Sequence, residues 1–305
     1  MTINQHVTTF AGLPVAEADD AKDHPAPESV AWRVSLDYRS EGTFEDVLGG
    51  FLATVGAGRV RALVIGQWNE PHEDSAPVGL LAGLADRLAN LRALFLGEIT
   101  AEDCEISWIQ QADVTPLLRA WPALEVLQVR GGEGLVLEPG RYESLRELTF
   151  QSGGLPADVV RAVGAGDLPA LTHLELWLGE EQYGGDATVD DLAGVLSGRG
   201  IPALRYLGLR DAEIADEVAA AVASAPVVPR LEVLDLSMGV LSDAGARSLL
   251  AGRPLTHLRR LDLSHHYLSE ELTARLPGLL PGVEVDVSGR QDEEDDGGRY
   301  VAVGE

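Results

Sequence analysis

Cysteine and lysine are almost absent from this chain: Cys104 and Lys22 are the only ones in 305 residues. A lone cysteine can form no intrachain disulfide, which excludes an extracellular disulfide scaffold. Positive charge is scarce as well, with 23 Lys and Arg against 49 Asp and Glu and a formal net charge of −26. That shortage argues against nucleic acid, whose phosphates are held by clustered Lys and Arg. It favours solubility and a partner with a basic surface. Long apolar runs are missing too, and none approaches the roughly 18–20 residues that would span a bilayer, so no membrane role is expected. The first 15 residues have neither a basic stretch nor a continuous apolar one, so no signal peptide is expected and the cytoplasm is the simplest compartment. The preference for arginine over lysine, together with abundant Ala, Gly, Val and Asp, reads as the coding bias of a GC-rich bacterium.

Leucine, by contrast, is abundant and periodic. The pattern Leu-x-x-Leu-x-Leu recurs, with small variations, at residues 91–96, 145–150, 171–176, 204–209, 231–236 and 258–263. Recurrence at about 20–29 residues with this signature identifies leucine-rich repeats, each a strand plus a helix or turn. With the middle leucine as register mark, the units fall at Val34, Leu63, Leu94, Leu127, Leu148, Leu174, Leu207, Leu234, Leu261 and Val285. The expected fold is therefore α/β: a leucine-rich-repeat solenoid, or horseshoe, of about ten parallel strands on the concave face with helices on the convex face. Strand side chains alternate, so Leu94 and Leu96, or Leu234 and Leu236, point into the core and the residues between them face outward.

Helix starts and stops punctuate the units. Thr43-Phe44-Glu45-Asp46 has the form of a capping box, and Thr188, Ser242 and Ser269 open further helices, each followed by acids that suit a helix N-terminus. Gly198, Gly200 and Gly252, with Pro202 and Pro254 after them, end helices. Residues 1–29 form an N-terminal arm and flexible loop, 30–289 the solenoid, and 290–305 an acidic tail. Within that tail, residues 290–298 read as a disordered acidic linker. Tyr300, Val301, Ala302 and Val303 beyond it are apolar enough to dock, as a short strand beside the last repeat.

The binding face follows from the register. Long excursions leave the strands at residues 68–74, 98–111, 130–134 and 179–186, all from strand C-terminal ends and so all on one edge. Insertions on one face of a solenoid often form its binding face; the bland alternative is that long loops are merely tolerated. The concave column one residue past the middle leucine is acidic in its C-terminal half, with Glu175, Asp235, Asp262 and Asp286. Three residues past it lie Arg130, Trp177 and Arg210. Trp, Tyr and Arg dominate interface hot spots, so Trp177, Arg130 and Arg210 are candidate partner contacts together with Glu175, Asp235 and Asp262, and Trp68, Trp108 and Tyr183 are candidate loop anchors. Trp177 could instead pack under the 180–186 loop.

Chemistry-bearing motifs are weak. His265 and His266 are adjacent on a strand and point to opposite faces, and zinc wants three or four convergent ligands. Cys104 sits among Glu102, Asp103 and Glu105, a setting that raises a thiol pKa rather than activating it. Those acids, and Glu70, Glu73 and Asp74, lack the spacing of an EF-hand calcium loop. Gly131-Gly132-Glu133-Gly134 lacks the Lys and Ser/Thr of a phosphate loop. No catalytic residue, cofactor or metal is therefore expected.

Five stretches carry a resemblance. They are Phe10-Ala11-Gly12-Leu13-Pro14, residues 104–109 (Cys-Glu-Ile-Ser-Trp-Ile), 113–118 (Asp-Val-Thr-Pro-Leu-Leu), 129–135 (Val-Arg-Gly-Gly-Glu-Gly-Leu) and 261–268 (Leu-Asp-Leu-Ser-His-His-Tyr-Leu). Through them the chain resembles, nearly end to end, an actinomycete-type family of bacterial cytoplasmic leucine-rich-repeat proteins of uncharacterised function. The resemblance hints at a helper encoded beside radical-SAM-type enzymes. Units near 27 residues also resemble the ribonuclease-inhibitor type of repeat. In that type an Asn or Cys five residues past the middle leucine bonds the turn; here the position holds Trp68, Ile99, Gly132, Gly153, Gly179, Ala212, Gly239 and His266, so no amide ladder is expected. The function that follows is a non-catalytic protein-protein interaction scaffold, with an accessory subunit that binds a small molecule or peptide for a modifying enzyme as the alternative.

Overall fold

A computed structural model describes residues 3–23, 26–37, 39–293 and 298–304. Part of the stretch read as an acidic linker, residues 294–297, lies outside the described residues. Twelve strands form one open sheet in chain order: β1 (Thr9–Phe10), β2 (Leu13–Glu17), β3 (Ala31–Asp37), β4 (Ala62–Asn69), β5 (Ala93–Leu96), β6 (Val126–Arg130), β7 (Glu147–Gln151), β8 (His173–Gly179), β9 (Tyr206–Ala212), β10 (Val233–Asp235), β11 (Arg260–Asp262) and β12 (Glu284–Asp286). β1 and β2 are an antiparallel hairpin, and from β2 onward every pairing is parallel. Among the described residues, eight α-helices lie between strands: α1 (Phe44–Val55), α2 (Val78–Ala82), α3 (Thr115–Ala120), α4 (Ala157–Ala165), α5 (Ala193–Ser197), α6 (Ala215–Ser224), α7 (Asp243–Leu250) and α8 (Glu270–Leu279). The chain is thus an α/β leucine-rich-repeat solenoid. Among the described residues, no helix is long and apolar enough to cross a membrane.

The middle leucines stack as a column from Leu63 to Leu261, each pairing with the next in register and none more than 1% exposed. Full burial of one such side chain stabilises by about 1.5–3 kcal/mol, so the column is a principal source of cohesion between units. One register mark needs correction. Leu63 pairs with Trp32, and Val34 pairs with Ile65, so the first unit is centred on Trp32. Trp32, Val34 and Leu36 alternate inward, and a slip of two leaves the same side chains on the same face.

Local signals explain the helix starts. Thr43 and Asp46 form a reciprocal capping box on α1. Ser242 and Ser269 accept backbone N–H groups at the starts of α7 and α8. At Thr188 the expected helix is delayed: its N–H and hydroxyl both go to Asp191, and α5 begins only at Ala193. The turns after the strands use left-handed backbone, at Gly97, Gly131 and Gly179 with φ of 81°, 105° and 71°, but also at Asp211, Met238 and His265 with φ of 54°, 72° and 54°. The ladder position is not wholly empty either. His266, fully buried, accepts the Leu268 N–H at Nδ1 and donates from Nε2 to the Val287 carbonyl, so an imidazole does in the last full unit what an amide would do.

Both chain ends fold onto the concave side. Phe10 of the hairpin packs with Ala31, Ala62, Val64, Ala93 and Phe95. Glu98, fully buried, accepts from Val7 N–H (2.8 Å), His6 Nδ1 (2.9 Å) and Arg33 Nε (2.8 Å), fastening the amino-terminal segment. Tyr300 to Val303 do not form the expected strand beside the last repeat. Residues 298–304 run back across the strand ends, with Val301, Ala302 and Val303 buried.

Candidate functional site

Strand alternation turns Glu175 and Trp177 away from the core while Leu174 and Leu176 fill it. On the next strand Arg210 stands in register with Trp177. Its guanidinium lies 5.4 Å from the indole centroid, a cation–π distance. Arg210 Nη1 donates to Glu175 Oε1 at 2.9 Å, Trp177 Nε1 donates to the same oxygen at 2.6 Å, and Arg210 Nε is 3.3 Å from Asp235 Oδ2. The Tyr206 hydroxyl lies 3.0 Å from Glu175 Oε2 and 2.8 Å from Asp235 Oδ2, and its ring stacks on His173 with centroids 3.9 Å apart. Four of the expected contacts, Glu175, Trp177, Arg210 and Asp235, therefore form one network.

The charges in this network are spent on one another. Burial opposes ionisation of Glu175, but the His173 imidazole 3.7 Å away, the charge of Arg210 and the hydrogen bond from Trp177 outweigh it and hold the carboxyl at about 2. Burial, then the Glu175 and Asp235 charges, push the Tyr206 phenol far up. Burial also raises Asp235, against the pull of Arg210. A general acid or base works best with a pKa near the operating pH, and Glu175 and Tyr206 are driven from neutrality in opposite directions. One carboxyl, Asp211, is pushed up to about 8, by burial first. It is fully buried and its Oδ1 accepts the Val303 N–H.

A second network lies further along the concave face. Arg260 donates to Asp262 (2.7 Å), Glu284 (2.9 Å) and Asp286 (3.0 Å). Asp235, Asp262 and Asp286 each accept the backbone N–H of the serine two residues on, Ser237, Ser264 and Ser288. The acidic column is thus partly neutralised by two arginines and partly tied to its own turns, leaving it net negative. Asp262 belongs here, apart from the Trp177 group.

Several expected exposures are corrected. Trp177 is only 5% exposed, packed with Ile106, Met238, Ala302 and Val303 and with Ile3 alongside. Its cover is the carboxy-terminal segment, not the 180–186 loop. Arg130 is buried, donating from Nε to Gln151 and from Nη1 to the Ile99 carbonyl, with its guanidinium 5.2 Å from the Phe95 ring. Burial pulls its pKa down to about 10, against the attraction of Glu98. Glu175 and Asp235 are buried in the network. Trp68 is buried too, its indole N–H donating to the Asp74 carbonyl and closing its own loop. Asp262, Arg210 and Tyr183 are half-buried, and Trp108 stands out at 57% exposed.

The long excursions share an edge and are laced together. Gln110 pairs with Glu133, Asp113 with Val136 and Gly154 with Gly179, and Gln110 N–H donates to the Pro71 carbonyl. The result is a ledge above the strand ends. Cys104 is buried within it, its thiol pushed up to about 11 by burial first and then by Glu105 and Asp103. His265 and His266 are occupied separately, by the Tyr300 carbonyl and by the turn backbone. Among the described residues, no group of three or more His, Cys, Asp or Glu is placed to hold a metal ion.

His173, Tyr206, Asp211, Met238 and Arg260 escaped the sequence reading. The Asp-x-Ser triplets at 235, 262 and 286 were the available signal for the second network.

Solved structures similar to this chain include one from Bacteroides fragilis and one from Leptospira interrogans. A Bacteroides fragilis protein of known crystal structure is 32% identical, with a TM-score of 0.79 over 87% of this chain and 76% of that one. A leucine-rich-repeat protein of Leptospira interrogans is 15% identical, with a TM-score of 0.41 over 90% of this chain and 58% of that one. No family model and no curated protein matches the chain.

Proposed function

The chain belongs to the same family as the Bacteroides fragilis protein, and on that premise we propose that it is a non-catalytic protein-protein interaction scaffold. It binds a partner through the concave face and the loop edge at the strand C-terminal ends. One observation carries the reading: the loop edge already holds a stretch of polypeptide, residues 298–304, through backbone hydrogen bonds and small apolar contacts. A surface built to hold an extended chain is a surface for protein recognition. The contacts available to a partner are Trp108, Tyr183, Arg210 and Asp262, with Trp177, Arg130, Trp68, Glu175 and Asp235 serving as their buried support. The negative concave column suits a basic partner surface and neither nucleic acid nor membrane. On the same footing we place the chain among actinomycete-type cytoplasmic leucine-rich-repeat proteins with ribonuclease-inhibitor-like units.

The alternative, an accessory subunit presenting a small molecule or peptide to a modifying enzyme, is favoured by the partly exposed His173–Tyr206 stack beside Glu175. Retention of partners from a lysate of the source organism separates the two. A protein held by the wild type, released by salt and lost by a folded Trp108→Ala/Asp262→Asn variant supports the scaffold and its face. Equal retention by both proteins overturns the assigned face, and no specific protein at all moves the reading to the accessory subunit.

A further inference from the structure

The carboxy-terminal segment is bound like a ligand. Three successive repeats each offer it the residue four past their middle leucine: His265, Met238 and Asp211. All three adopt left-handed backbone, which non-glycine residues rarely do. His265 Nε2 lies 3.2 Å from the Tyr300 carbonyl, the Met238 carbonyl accepts the Ala302 N–H at 2.7 Å, and Asp211 Oδ1 accepts the Val303 N–H at 3.0 Å. The segment therefore crosses the strands one repeat at a time. Strands lie about 4.8 Å apart, so the three steps from β11 to β8 cover about 14 Å. The four residue-to-residue steps from Tyr300 to Gly304 reach about 13 Å when the chain is extended.

Recognition along this path has two parts. Main-chain groups fix the line of the segment, and Ile106, Trp177 and Met238 seat Ala302 and Val303. The end is narrow: a Cβ on Gly304 would come within 2.5 Å of Glu180 Oε2 and 3.1 Å of the Tyr183 ring, so a larger residue there requires the Glu180 side chain to move. The covalent link to the solenoid is of another character. β12 ends at Asp286, and among the described residues of the link that follows, Arg290, Asp292 and Glu293 are exposed, in contrast to the buried apolar end. The fit also leaves capacity unused, since Asp211 Oδ2 is buried without a hydrogen-bond partner.

We propose that this edge is a binding groove for an extended segment of a partner protein, one presenting small apolar residues followed by a residue as small as glycine, and that residues 300–304 are its tethered occupant, displaced when the partner binds. The proposal rests on the scaffold reading and adds to it the chemistry of the partner segment and the regulation of access.

Two variants of the full chain separate groove from tail. Ala302→Glu spoils the tail and leaves the groove intact. Gly153→Ala spoils the groove alone, because the new Cβ would meet the Gly304 carbonyl oxygen at 2.1 Å while its nearest solenoid neighbour, Ser107 Cβ, is at an ordinary 3.5 Å. Tail release is read by tryptic cleavage after Arg299 and by Trp177 fluorescence. The probe is a labelled peptide of sequence Arg-Tyr-Val-Ala-Val-Gly, followed by anisotropy. Both variants should free the tail, and the probe should bind Ala302→Glu but not Gly153→Ala. A short tether acts at millimolar effective concentration; a tail seated 99% of the time weakens probe binding to the wild type about 100-fold. A folded Ala302→Glu protein with a free tail that ignores the probe overturns the proposal and makes the segment a structural strap. Equal binding by wild type and Ala302→Glu also overturns it, as does a wild-type dimer that exchanges tails. The scaffold reading fails separately, if the wild type keeps no specific partner at all, and its assigned face fails if the Trp108→Ala/Asp262→Asn variant keeps every partner that the wild type keeps.

Discussion

Exchanging Asp211 for asparagine tests the electrostatics of the tail groove. Asp211 is fully buried, its Oδ1 accepts the Val303 N–H, and burial pushes its carboxyl up to about 8. In the unfolded chain the same group releases its proton near 4, as an ordinary aspartate does at about 3.9. Between those two values the native state binds the extra proton, so native stability falls as the pH rises through the window. At about 1.4 kcal/mol per pH unit, with relaxation of the site taking back part of a four-unit span, the loss by pH 9 is about 3–5 kcal/mol. Asparagine keeps the acceptor, tolerates left-handed backbone as well as aspartate does, and carries no charge to desolvate. Its amide occupies the place of a hydroxyl that also lacks a partner, so the two proteins should match near pH 4. The variant should then gain steadily, reaching about 3–5 kcal/mol over the wild type at pH 9. Urea midpoints followed by circular dichroism from pH 4 to 9 measure the difference. Parallel stability curves would show that the buried carboxyl is not held neutral, and would refute the reasoning.

Three further outcomes follow from the same structure. Glu98→Ala leaves the buried Arg33 guanidinium with the half-exposed Glu17 carboxylate and the Val7 carbonyl, and should cost about 3–5 kcal/mol in denaturant unfolding; a loss under about 1 kcal/mol would show that Glu98 does not hold the amino-terminal segment. Gly179→Ala places a Cβ 1.9 Å from the Gly153 carbonyl oxygen and should prevent stable folding, whereas Gly12→Ala, also at positive φ but with nothing within 4 Å, should cost only about 1–2 kcal/mol. Comparable thermal midpoints for the two variants would contradict this. Burial lowers the His266 pKa, so the unfolded chain takes up a proton near 6.5 that the native state refuses, and stability should fall as the pH drops below about 6.5. His266→Gln should flatten that acid limb, and an unchanged limb would assign it to another group.

Much of the architecture was legible because one physical signal repeats. Leu63 to Val285 fall into register as their spacing implies, since a buried face tolerates no one-residue slip. Trp32 was missed because Trp32, Val34 and Leu36 share a face, and a shift of two costs the hydrophobic pattern nothing. The Asp-x-Ser turns and the serine helix caps were equally local and equally readable. Exposure was not. Alternation assigns Trp177 and Arg130 to the outward face, but what covers Trp177 comes from Ile106 and Val303, far away in the chain. Strand periodicity says which way a side chain points and nothing about what returns to cover it. The tail shows the same limit: its apolar residues announced docking, while its destination depended on its main chain meeting His265, Met238 and Asp211, which no local pattern links to it.

In a linear array whose units touch only their neighbours, the terminal units ordinarily fray first. Here each terminus is stitched inward. Val7 bonds Glu98 across 91 residues, just past β5, and Val303 bonds Asp211 across 92 residues, at the end of β9. Both stitches reach three strands into the array, so neither end can peel off without breaking a contact deeper inside. Opening one terminal repeat then carries the free energy of several. Amide hydrogen exchange should accordingly find β2 and β12 exchanging with the units they are tied to rather than ahead of them, and the solenoid should melt as one cooperative block.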